Sequence, residues 1–114
     1  MAKSKIPNAI ERRHLIDREL KPAQSLRYAE AYLAEGRDQD AIDFLVKAEA
    51  TEQLEVMRKR AIDSGDAFLF RSVSDAMGVT SERDEWRSLS EAARAAGRER
   101  YADEAMGMAE RSED

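Results

Sequence analysis

The chain has 114 residues, contains no cysteine and carries a net charge of -5 from 19 basic and 24 acidic side chains. That balance disfavours nucleic acid and anionic lipid as partners, and the lack of cysteine excludes disulfides, thiolate nucleophiles and cysteine metal sites. The length suits one domain, residues 1–114, and 19 alanines against eleven valine, isoleucine and threonine residues favour an all-α fold over sheet.

The elements follow in chain order. Residues 1–5 are basic, but no apolar stretch follows them and no run approaches the ~20 apolar residues of a membrane span, so a cytoplasmic location is expected. A first helix is predicted over 8–20, with Asn8 as its cap and Glu11 three residues on. Pro22 suits the first turn of a second helix, on which Leu26, Ala29, Tyr32 and Leu33 share a face before Gly36. Asp38 is read as the cap of a third helix, where Ala41, Ile42, Leu45, Val46 and Ala48 recur at helical spacing. Thr51 opens a fourth, with Leu54, Met57 and Ala61, closed by Ser64 and Gly65. Its run Arg58, Lys59 and Arg60 is read as a solvated face.

Asp66 begins a fifth helix, with Phe70, Val73 and Met77 facing one way before Gly78. Thr80 or Ser81 is expected to cap a sixth, where Trp86, Leu89, Ala93 and Ala96 line up until Gly97. A seventh runs from about Glu99 to Glu110, with Ala102, Ala105, Met106 and Ala109 along it. Seven short helices on short connections must run nearly antiparallel to their neighbours. Gly36, Gly65 and Gly97 recur at separations of 29 and 32 residues, which is a solenoid-like period. Three hairpin units are therefore expected, about 22–50, 51–78 and 80–110.

Catalytic and metal chemistry finds little to work with. His14 is the only histidine and lies among Arg12, Arg13 and Asp17. A di-metal bundle would need Glu-x-x-His on two helices, and only Glu11 with His14 supplies one. Asp38, Asp40 and Asp43 read as a cap and a polar helix face. No glycine-rich phosphate loop is present. The sequence thus offers no catalytic, cofactor or metal site. Tyr101, Met106 and Met108 form a soft apolar group near the C-terminal end, which serves as core filler or as a face for self-association.

In register on its glycines, the chain resembles the tetratricopeptide repeat. Tyr32 stands four residues before Gly36, with Ala41, Leu45 and Ala48 five, nine and twelve after it, and Trp86, Leu89, Ala93, Ala102, Met106 and Ala109 flank Gly97 comparably. The middle unit departs from the pattern: it keeps Leu54 and Ala61 but places Phe70 and Ser74 where small and apolar residues belong. The resemblance covers about 22–110 and implies a stack of helical hairpins whose first helices line a groove for a protein or peptide. In that register the groove residues are Leu26, Glu30 and Leu33, then Glu55, Lys59 and Ile62, then Arg87, Glu91 and Arg94. Leu26, Glu30, Val56, Asp84 and Ser88 occupy the positions at which a subset of the family clamps a C-terminal carboxylate, so that ligand class is not expected. The implied function is an adaptor or small regulatory subunit, binding a segment with apolar anchors and acidic residues that meet Arg87 and Arg94. The alternative is a structural homodimer paired through exposed end faces.

Overall fold

The computed structural model describes residues 6, 8–17 and 20–111. Among them are seven helices and no strand: α1 (Ala9–Asp17), α2 (Pro22–Ala34), α3 (Asp38–Lys47), α4 (Thr51–Ser64), α5 (Ala67–Met77), α6 (Arg83–Ala95) and α7 (Glu99–Arg111). The chain is thus all-helical. Residues 18–19 of the expected first helix, and 112–114 beyond the last, lie outside the described residues. None of the described helices is long and apolar enough to cross a membrane. The chain divides into two compact units, Met1–Leu54 and Glu55–Asp114.

Capping chemistry sets most helix starts. The Asn8 side chain accepts from the Glu11 amide at 2.9 Å and donates to the Glu11 carboxylate at 2.8 Å, and Asp66 accepts from the Leu69 amide at 3.0 Å. Two expected caps move. Arg37 is the cap residue of α3, so Asp38 enters the first turn, where its charge favours the helix dipole. At α6 the cap is Glu82 rather than Thr80 or Ser81, and the Glu85 side chain reaches back to accept from the Glu82 amide at 2.9 Å.

Helix ends share one device. The amide after a left-handed residue returns to a carbonyl five residues earlier: Arg37 to Tyr32, Asp66 to Ala61, Val79 to Ser74 and Arg98 to Ala93, across Gly36, Gly65, Gly78 and Gly97. The α3 end does the same without a glycine, with Glu49 at φ 54° and the Ala50 amide bonded to Leu45.

In the first unit, α2 and α3 form a helical hairpin. Tyr32 and Phe44 are fully buried and stack with ring centroids 5.7 Å apart, and Tyr28 lies 5.3 Å from Phe44. The Arg12 guanidinium of α1 covers both Tyr32 and Phe44, at 5.8 and 5.6 Å from their centroids. It also donates to the Asp40 carbonyl at 3.0 Å and the Asp43 carboxylate at 3.2 Å. Burial pushes the Tyr32 hydroxyl above its ordinary pKa, against the opposing pull of Arg12 and Arg37.

In the second unit, α6 and α7 form a hairpin on which α5 also packs. Ala93, Ala102, Ala105 and Ala109 are buried, so the helices approach closely, and the buried Ser90 hydroxyl donates to the Ala102 carbonyl at 2.8 Å. Trp86 is 3% exposed and meets Phe70 edge to face, with centroids 4.8 Å apart. The α4–α5 turn presses on this core at Gly65: a Cβ built there would overlap the Ala93 backbone N and Cα and lie 2.8 Å from its Cβ. Gly97, also left-handed, faces open space.

This contrast is testable. Gly97→Ala should cost about 1 to 2 kcal/mol, the ordinary penalty for a left-handed alanine. Gly65→Ala should cost at least about 2 kcal/mol more, because Ala93 must also move. Urea unfolding followed by Trp86 fluorescence measures both, and equal losses would show that the Gly65 contact is not tight.

Candidate functional site

The second unit bears a depression of about 470 Å³, whose walls come from α4 and from the connection leading out of α5 into α6. Helical spacing puts Glu55, Lys59 and Ile62 on one face of α4, three and four residues apart. Met77 at the end of α5 and Val79 and Thr80 after it form the opposite side, and Glu82 and Glu85 at the start of α6 complete it. Ile62 and Met77 are half-buried, while Val79, 41% exposed, leaves apolar surface open to water.

Arg58 holds these walls together. Its Nε donates to the Ser74 hydroxyl of α5 at 2.8 Å. One Nη donates to Glu85 Oε2 on α6, and the other to Glu85 Oε1 at 2.9 Å and to the Ser81 hydroxyl at 3.3 Å. The Ser81 hydroxyl donates in turn to Ser74 at 3.3 Å. The guanidinium also lies 4.6 Å from the centroid of Phe70, whose ring edge meets Trp86. The Arg58 and Glu85 side chains are 15% and 26% exposed, so water screens this forked ion pair far less than a surface pair. The hydrogen bond from Arg58 holds the Glu85 carboxyl below its ordinary pKa, aided by the Glu82 amide and opposed by partial burial. Glu85 therefore stays a carboxylate near neutrality, with both oxygens engaged, and is placed to brace the wall rather than to transfer a proton.

The expected groove residues fall in three places. Leu26 and Leu33 are half-buried and Glu30 exposed on α2, in the first unit. Glu55 and Lys59, exposed, and Ile62 meet in the depression. Arg87, Glu91 and Arg94 are exposed on α6 and do not line it. Arg94 is already held within the α6–α7 hairpin, where it donates to Glu99 at 2.7 Å and to Asp103 at 3.4 Å. Its charge is thus largely compensated. Met77, Val79, Glu82 and Arg58 were not among the expected site residues. No local signal in the sequence sets them apart, because their grouping depends on how α4, α5 and α6 pack. No group of three or more histidine or acidic side chains that could hold a metal occurs among the described residues.

No protein-family model matches the chain, and neither a curated protein nor a solved structure matches it.

The ion pair predicts the acid limb of stability. A carboxyl with a lowered folded pKa contributes stability that is complete above the ordinary glutamate range and is lost as pH falls through the folded value. The wild-type chain should exceed Glu85→Gln in urea midpoint at pH 6. The gap should close progressively towards pH 3, and a gap independent of pH would contradict the pairing.

Proposed function

We propose that the chain is a protein-interaction module, an adaptor or small regulatory subunit, which takes a segment of another protein on a helical surface. The observation that carries this reading is the depression itself. Ile62, Met77 and Val79 keep apolar surface in contact with water there, on walls already fixed by Arg58, so a partner would not have to order them on binding. The short helices, the glycine-closed hairpins and the resemblance of 22–110 to the tetratricopeptide repeat support the same mode, with Leu26, Glu30, Leu33, Arg87, Glu91 and Arg94 as further contact positions. The side-chain inventory, with one histidine and no cysteine, supports a role without catalysis or cofactor.

Homodimerisation is a second reading, favoured by Phe68 on α5 and Met106 on α7, which are 59% and 36% exposed. Sedimentation at micromolar concentration separates the two. A monomer supports the adaptor, whereas a tight dimer lost on Phe68→Ser or Met106→Ser supports self-association.

The adaptor reading predicts that affinity capture from the native host recovers a stoichiometric partner with the wild-type chain, and that Ile62→Asp reduces recovery about tenfold or more without unfolding the protein. Recovery unchanged by Ile62→Asp, and by Lys59→Glu, would remove the depression from the interface.

A further inference from the structure

We infer that the depression of the second unit selects a protein segment in which one or two aliphatic side chains are flanked by lysine or arginine. This inference rests on the docking reading above and adds the chemistry of the partner. Of the five charged side chains that line the depression, three are carboxylates and two are cations. Arg58 and Glu85 neutralise each other and are committed to the wall. Glu55 and Glu82 remain against Lys59, all three exposed, so the rim has an excess of one negative charge on a chain of net charge -5. Glu55 makes no ion pair or hydrogen bond with a side chain of the described residues, and its carboxylate is open to an incoming cation.

Beside those charges, Ile62, Met77 and Val79 give the depression an apolar lining, and about 470 Å³ accommodates a pair of aliphatic side chains. Methionine adapts its shape to such groups. A purely apolar ligand would leave the excess negative charge of the rim uncompensated, and an acidic one would be repelled by it. Basic residues on either side of an aliphatic anchor satisfy both features of the site. The chemistry differs from the acidic partner implied by Arg87 and Arg94, because those residues lie outside the depression and Arg94 is paired with Glu99 and Asp103.

The test uses three acetylated and amidated hexapeptides, GKLLKG, GELLEG and GKSSKG, titrated into the full chain while the methyl resonances of Ile62, Met77 and Val79 are followed by NMR. Saturable shifts at these methyls are expected with GKLLKG, at a Kd at least about fivefold lower than with either of the others. The double variant Glu55→Gln with Glu82→Gln should weaken GKLLKG by about fivefold or more; Glu55 is exposed, and glutamine at position 82 keeps a side-chain acceptor and the backbone amide of the α6 cap, so folding is preserved. If GELLEG binds at the same methyls as tightly as GKLLKG, the charge assignment is overturned and docking in the depression stands. Equal binding of GKSSKG overturns the apolar anchor. Shifts at none of the three methyls with any peptide overturn the inference, and capture from the host that ignores Ile62→Asp then overturns the docking reading as well.

Discussion

One guanidinium organises the second unit. Arg58 stands on α4, yet its donors end on α5, on the α5–α6 connection and on α6, and its flat face covers Phe70. A single side chain therefore fixes three segments that the chain brings together only through tight turns. The forked geometry matters, because lysine could meet Glu85 but could not at the same time reach Ser74 and Ser81 in one plane. Glu85 is equally committed, since its Oε1 also caps the start of α6 through the Glu82 amide.

The first unit solves the same problem in the same way. Its core is one hairpin with alanines at the contacts, and small side chains bury little apolar area each. Arg12 adds its stem and its planar head over Tyr32 and Phe44, and Asp40 and Asp43 compensate its charge. In both units, then, an arginine laid on aromatic rings and neutralised by carboxylates extends a core that alanine and leucine alone would leave thin. In the second unit that arrangement also has an outward consequence. With Arg58 and Glu85 bound to each other, the remaining faces of α4 and of the α5–α6 connection stand open as the walls of the depression.

Local signals made much of this legible. The seven helices, the stops at Gly36, Gly65, Gly78 and Gly97 and the inward faces of Tyr32, Leu45, Trp86 and Ala93 follow from periodicity and turn chemistry, and the structure places them so. Arg58 was not legible. It sits between Met57 and Lys59 in a run of three cations, and helical periodicity does not distinguish an arginine that turns inward from neighbours that stay in water; Lys59 and Arg60 do remain exposed. The two residues that fit the repeat pattern worst, Phe70 and Ser74, are the ones that receive Arg58. Their misfit was the trace of a polar network that a pattern of small and large apolar positions does not encode. Of the nine expected contact residues, Glu55, Lys59 and Ile62 come together because one helix face unites them, while the grouping of α4 with Met77, Val79 and Glu82 depends on tertiary packing.

The second unit depends on the coupling between Arg58 and Glu85, and a double-mutant cycle with Arg58→Met and Glu85→Gln, read by urea unfolding through Trp86 fluorescence at neutral pH, measures it directly. The expected result is a favourable interaction energy of about 1 to 3 kcal/mol, in the range of a partly buried, bidentate pair. A value near zero would mean that the walls of the depression are held by packing alone, and would contradict that dependence.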